Sequence, residues 1–484
     1  MKKITKYFQQ ITVLQLMLLV LVSLGSSHAL SEEKYEFVDW ESPVPTFLEL
    51  GLDPKKIATI ASGGQFVIVA NPRDFTLWNA RTKKPEQFKD KSVIYTATVI
   101  DAPADEIREM VWDMESQGKY LPLFKDTTNL RTEGNARIAS YEQVIKVPIL
   151  KLASDFIVQI NKYDSGDIGM VLIDEGDVEA IFQYWEFYPL DDNRTLTVLT
   201  GWQDTDSASF MYKTILDAEP SFGRAFPVLM LYERLVQFRD EAARRHPEIA
   251  AKADDTIYDL YSVNTFVSEI EGLDVQELKK MAQLGGVQFY HKPKNLAFED
   301  GIHEILQVSA LVYVPLPKKL IQPLLNDFSS LPKYNDLTEE WLDPSMTEED
   351  WGHLKIGVNI GPIHVPVHIY VVTEDVNDDR MLFRSAPKSY VHPVLGHVEY
   401  MKMDDPEDEG TVVEVTIGGV VGPDASFIFK LVRYVPFHNT LVASIYAMLT
   451  ADSAGDWVTG KVADDIAKAK QKEMEKTDQS LSTL

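Results

Sequence analysis

The chain of 484 residues contains no cysteine. That excludes a disulfide framework, a thiolate metal site and a cysteine nucleophile. Positive charge is scarce too: 47 Lys and Arg stand against 74 Asp and Glu, a formal charge of −27. Without a basic groove, neither nucleic acid nor an anionic membrane surface is favoured as an electrostatic partner. Catalytic signatures are missing as well: there is no GxSxG elbow, Walker loop, HExxH, or GxGxxG after a strand. What is present is ordinary globular material, 45% apolar and 25% charged. A chain of this size can bury adequate cores without staples.

The N-terminus reads as an export signal. Lys2, Lys3 and Lys6 precede the apolar run ITVLQLMLLVLVSLG, and Ser27 and Ala29 occupy the small-residue positions before a cut. Residues 1–29 are therefore expected to be removed, leaving a periplasmic or secreted protein. An uncleaved anchor is the alternative, but the run is short for a span of about 20 residues. The sequon Asn193-Arg194-Thr195 matters only in a eukaryotic secretory route.

The rest of the chain says the same thing twice. GLDPKKIATIASGG from Gly51 is matched by GLDVQELKKMAQLGG from Gly272, an offset of 221, with the glycine pairs Gly63-Gly64 and Gly285-Gly286 offset by 222. TATVIDAPADEIREMVWDMESQGKYLPL from Thr96 faces SALVYVPLPKKLIQPLLNDFSSLPKYNDL from Ser309, with Pro103 matching Pro317, Ile107 matching Ile321 and Lys119-Tyr120 matching Lys333-Tyr334 at an offset of 214. The eight-residue change lies in the connection between these anchors, read as the polar segment RTKKPEQFKDK in copy one. The expected organisation is a signal at 1–29, an N-terminal segment at 30–50, repeat one at 51–245, a linker at 246–271, repeat two at 272–476 and a tail at 477–484. The paired glycines read as C-cap and turn positions after each opening helix.

Each copy carries the same order of elements. In copy one SVIYTATVID alternates as a strand, and a helix follows with Ile107, Met110, Val111 and Met114 on one face. ARIASYEQVIKV, SDFIVQINKY, GMVLIDE, EAIFQYWEFYPL and RTLTVLTGWQ are strand-like runs. A long helix closes the copy, with Leu231, Leu235, Phe238 and Ala242 as its apolar stripe. Pro220 and Pro227 are expected to break or kink its approach. Copy two repeats this with HLKIGVNI, IHVPVHIYVVTED, RMLFRSA, HVEYMKMD and GTVVEVTIGG, then a helix interrupted at Gly455 and Gly460.

This order resembles the START-like (Bet v 1-like, SRPBCC) helix-grip superfamily. IDAPADEIREMVWDMESQGKY and YWEFYPLDDNRTLTVLTGW carry the resemblance in copy one; VPLPKKLIQPLLNDFSSLPKY and HVEYMKMDDPEDEGTVVEVTIGG carry it in copy two. The fold class it implies is α+β: two tandem helix-grip domains, each a bent antiparallel sheet gripping a long C-terminal helix. The copies differ where Trp112 faces Asn326, and where the Tyr184–Phe187 stretch faces His397–Tyr400. The Gly-Leu-Asp preludes lie outside the superfamily's common core.

A sheet gripping one helix leaves a cleft walled by alternate strand residues, the usual host of a small hydrophobic ligand. The expected lining is Phe156, Val158, Trp185 and Phe187 from strands, and Phe222, Phe226 and Met230 from the helix. In copy two it is Val365 and Val367, with His397 as a polar member. By strand alternation Glu186 is expected to face water. Plain core packing competes with each of these assignments. His364 and His368 share a strand face about 13 Å apart, too far for one zinc ion, so no metal and no cofactor are expected. Asp113 and Asp327 recur at a helix end, which suggests a capping task.

The expected function is therefore non-enzymatic binding or carriage of a lipid or other hydrophobic small molecule, with transient membrane contact among its allowed partners. Two alternatives stand beside it. One is a cyclase or dehydratase of the same superfamily, with Tyr184, Glu186 and His397 as candidate groups; a titratable residue in the cavity would favour it. The other is a protein-interaction module with filled cavities.

Overall fold

A computed structural model describes residues 35–147, 150–174, 176–208, 220–250, 256–259, 274–298, 301–344, 351–360, 363–386, 389, 391–403, 410–421, 443–444, 447, 450 and 453–465. The expected signal at 1–29 and the tail at 477–484 lie outside them. Residues 1–37 and 38–484 are separate units, and residues 35–37 carry no regular secondary structure. Everything below concerns residues 38–484.

The two copies are not two sheets. Their strands form one 16-stranded sheet ordered β16-β17-β18-β19-β20-β21-β15-β12-β1-β4-β10-β9-β8-β7-β6-β5. Copy one supplies β1 (Gly64–Ala70), β4 (Ile94–Ile100), β5 (Phe124–Glu133), β6 (Ala136–Val147), β7 (Leu150–Lys162), β8 (Ile168–Asp174), β9 (Ile181–Pro189) and β10 (Thr195–Gln203). Copy two supplies β12 (Gly285–His291), β15 (Gln307–Val314), β16 (Thr338–Leu342), β17 (Gly352–Ile360), β18 (Ile363–Asn377), β19 (Arg380–Ser385), β20 (Val391–Lys402) and β21 (Thr411–Val421).

The seam is the antiparallel pair β1·β12, which runs from Gly64 opposite His291 to Ala70 opposite Gly285. The same strand of each copy therefore lies against its counterpart, with Val67 opposite Gln288 at the middle of the pair. The seam pairs equivalent strands of the two copies, as an isologous dimer contact does, inside one chain. Gly63 turns the chain after the first prelude helix and Gly285 is the C-cap of the second, as the paired glycines suggest; Gly64 and Gly285 in addition open the two seam strands. A Cβ on Gly64 would land on the Tyr290 carbonyl oxygen, so only glycine permits the approach.

The doubled Gly-Leu-Asp word has a local cause. Asp53 caps helix α1 (Pro54–Ala61) by accepting from Lys55 N, and Asp274 caps α5 (Val275–Leu284) by accepting from the backbone of Gln276 and Glu277. Across the seam Lys56 pairs with Asp274 at 2.6 Å. Of the other recurrent aspartates, Asp327 accepts from Ser329 N, whereas Asp113 makes no side-chain cap bond.

Two segments read as loop are in fact strand. The polar segment of copy one, Arg81–Lys91, is the turn and second strand of a hairpin of β2 (Arg73–Asn79) and β3 (Lys84–Lys91), anchored by Phe75 and Phe88 against Trp202. Its counterpart in copy two is the shorter hairpin β13 (Lys294–Phe298) and β14 (Gly301–Ile305). That shortening is where the offset falls. Part of the expected linker is β11 (Ile257–Asp259), paired parallel to β13.

A set of helices packs into one core with the strands of each copy. In copy one these are α2 (Ala104–Trp112), α3 (Met114–Gln117) and α4 (Pro220–Arg245). Helix α4 lies along β4, β10 and β1, and runs unbroken through Pro227. Pro220 sits in its first turn, where no intrahelical donor is needed. Leu231, Leu235, Phe238 and Ala242 are all buried as the stripe predicts. Copy two supplies α6 (Lys318–Leu325), α7 (Leu331–Tyr334) and a helical run at 453–465. Glycine does not interrupt that run; Gly455 lets it settle against β15, where a Cβ would stand 2.8 Å from Val312 Cγ2.

Candidate functional site

Helix α4 crosses the copy-one sheet without filling the space beneath it. A cavity of about 80 Å³ remains, walled by Phe124 of β5, Tyr141 and Gln143 of β6, Phe156 of β7 and Met170 of β8. Ile181 and Gln183 of β9 continue the wall, and Pro227, Met230, Leu231, Glu233, Arg234 and Gln237 close it from α4. The volume holds two or three water molecules at about 30 Å³ each, well below the ~300–1,000 Å³ of an occupied small-molecule site.

Of the expected lining residues, Phe156 and Met230 do wall this cavity. Val158, Trp185 and Phe187 are buried in the surrounding core. Trp185 packs against Phe238 of α4 at 4.9 Å, so it faces the helix as alternation predicts. The side chains of Phe222 and Phe226 lie outside the described residues, as does that of Val365. Val367 is buried in the copy-two core with Leu354, Ile369, Tyr400, Val458 and Val462.

His397 is a correction. Val398 and Tyr400 point into the copy-two core, so strand alternation sends His397 to the opposite face. There it joins a buried polar network. His291 Nε2 meets Ser309 Oγ at 2.6 Å, Ser309 Oγ donates to Glu414 Oε1 at 2.6 Å, and His397 Nε2 stands 3.6 Å from Glu414. Burial pushes the Glu414 carboxyl up, but His397, His291 and Ser309 outweigh it and hold the group down at about 2. Among the described residues, donor atoms of His397, Glu399 and Glu414 lie within 4.8 Å of one another, in reach of a shared cation. Both carboxylates are already committed, Glu399 to the guanidinium of Arg380 and Glu414 to the hydroxyls of Ser309 and Thr416. His368 bonds His353 at 2.9 Å, while His364 pairs with Glu339, so those two histidines serve separate partners.

Glu186 is a second correction. Far from meeting water, it is 2% exposed. The segment from Val38 to Leu50 covers that face of the sheet, with Phe47 packed on Phe66 and Tyr188. Phe47 N and the Tyr188 hydroxyl donate to Glu186 Oε1 at 2.9 and 2.8 Å. No cation pairs with it among the described residues, and burial raises its carboxyl to about 7. Its counterpart Glu399 has Arg380. Tyr184 lies on the same covered face, donating to Asp167 at 3.3 Å. None of the three candidate catalytic groups therefore reaches the cavity.

The cavity's polar members escaped the sequence reading. Arg234 lies three residues after Leu231 and four before Phe238, on the buried stripe itself. That spacing was the available signal. Burial lowers its affinity for the proton. Burial, helped by Asp240, raises the neighbouring Glu233 carboxyl to about 7.

No family model matches the sequence, and no curated protein matches it. Among solved structures, the chain is similar to the di-domain ARO/CYC StfQ of the steffimycin biosynthetic pathway: 12% identity, 78% of this chain, 99% of that one, TM-score 0.26. It is also similar to the Zhui aromatase/cyclase of Streptomyces sp. R1128, with 17% identity over 32% of this chain and 94% of that one, TM-score 0.25. A STAR-related lipid transfer protein from Xanthomonas axonopodis shares 13% identity over 22% and 67%, TM-score 0.19. The strand order and the helices laid along the sheet make the chain α+β.

Proposed function

We propose that this chain is two helix-grip domains in tandem, fused edge to edge, and that the first binds a hydrophobic small molecule between its sheet and α4. The observation that supports this reading is the cavity beneath α4, in which Phe124, Phe156, Met170 and Met230 meet across an unfilled space. Each methylene buried there would contribute about 0.8 kcal/mol. Uptake requires α4 or the α2–α3 pair to move outward, because the closed space is too small for a lipid chain. Export after cleavage near Ala29 and carriage of lipid belong to the same reading. The test is native mass spectrometry, with solvent extraction, of protein purified from its own compartment. A stoichiometric hydrophobic adduct is expected; protein that stays empty after incubation with a total lipid extract would overturn it.

One observation favours a second reading, that the bound molecule is also transformed. Burial raises the Glu233 carboxyl to about 7, and it lines the same cavity as the Arg234 guanidinium, which is the equipment of general acid–base chemistry. On this reading the mass of the bound ligand changes with time in the native chain and stays constant in Glu233→Gln. Identical ligand masses in the two proteins over hours would dismiss it.

A further inference from the structure

Two arginines are buried in the described residues, Arg234 and Arg380, and their situations differ. Arg380 is matched by the carboxylate of Glu399 through both Nε and Nη2. Arg234, 8% exposed, has no carboxylate partner among the described residues. Its Nε makes no hydrogen bond. Its Nη2 reaches Gln117 Oε1 only at 3.5 Å, an oxygen that already accepts from the Tyr141 hydroxyl at 3.3 Å. The guanidinium is flanked by the rings of Phe124 and Trp185, 5.4 and 5.8 Å from their centroids. Those contacts fix its position but do not neutralise it.

A buried charge left uncompensated is costly, and proteins normally pair it or surround it with hydrogen bonds. Glu241, also buried on α4, obeys that rule through Arg244 and Arg245. Arg234, at the wall of a cavity, is met only by the neutral groups of Gln117 and Tyr141, with no carboxylate among the described residues to neutralise it. We infer that the cavity takes an amphiphilic monocarboxylic acid, whose carboxylate pairs with the Arg234 guanidinium while its apolar body lies among Phe124, Phe156 and Met170. The fork of a guanidinium matches two carboxylate oxygens, and no second cation lines the cavity to balance a dianion. Gln183, whose Oε1 lacks a partner, and Gln237 stand at the same wall to meet remaining polar atoms. The inference rests on the reading of this cavity as a hydrophobic site.

Calorimetric titration of the full chain with butanoate, octanoate and dodecanoate, each against its matching primary alcohol, tests it. Native protein should bind the best acid about tenfold or more tighter than its alcohol. Arg234→Met should lose that preference while keeping the alcohol, and should melt no lower than the native chain, because an unpaired charge has been removed. Arg234→Lys, which keeps the charge without the fork, should retain part of the preference. Alcohol binding with no preference for the acid, or acid binding unchanged in Arg234→Met, would refute the carboxylate anchor alone. Failure of every acid and alcohol to bind the native chain would refute the hydrophobic site beneath it.

Discussion

The carboxyl of Glu186 makes stability depend on pH in a direction opposite to that of an ion-paired acid. Its folded value of about 7 lies above its ordinary 4.5, chiefly through burial. The folded state therefore holds a proton that the unfolded state releases. That contribution is fully present below about pH 4.5 and is lost as pH rises through 7. The gap of about 2.5 units corresponds to roughly 3 kcal/mol at about 1.4 kcal/mol per unit. Glu186→Gln keeps the oxygen that accepts from Phe47 N and Tyr188 and cannot ionise. Urea unfolding midpoints of both proteins should be measured at intervals from pH 4.5 to 8.5. Taking the difference between variant and native chain cancels other titrating groups, including Glu233 and Glu414. That difference should grow in the variant's favour by about 3 kcal/mol across the range, most of it between pH 5 and 7. Parallel pH profiles would show that Glu186 is ionised in place, and that the covering by residues 38–50 does not exclude water.

Other perturbations probe the seam and the helices. Gly64→Ala should lower the melting temperature and split unfolding into two calorimetric transitions, because the new methyl collides with the Tyr290 carbonyl where the copies join. Phe238→Ala should cost about 3–5 kcal/mol in chemical denaturation, since the ring is fully buried between Trp185 and Tyr120. Gly460→Ala should gain about 0.5–1 kcal/mol by the same assay: the position is helical and its added methyl would touch nothing.

The sequence by itself determined the repeat, the order of elements in each copy and the buried stripe of α4. These depend on local spacing: period two in β6 and β9, period near 3.6 through Leu231 and Phe238, and an aspartate before each prelude helix. It did not reveal that the copies share one sheet, because strand pairing is made between residues more than two hundred positions apart and leaves no local trace. It put His397 on the wrong face of its strand, and it misjudged Glu186 for a reason related to the shared sheet. Alternation assigns a residue to a face, but only the tertiary structure decides whether another segment covers that face. Arg234 was legible as a charge on an apolar stripe. That it lacks an acid partner depends on what the folded chain brings near it, which spacing along one helix cannot express.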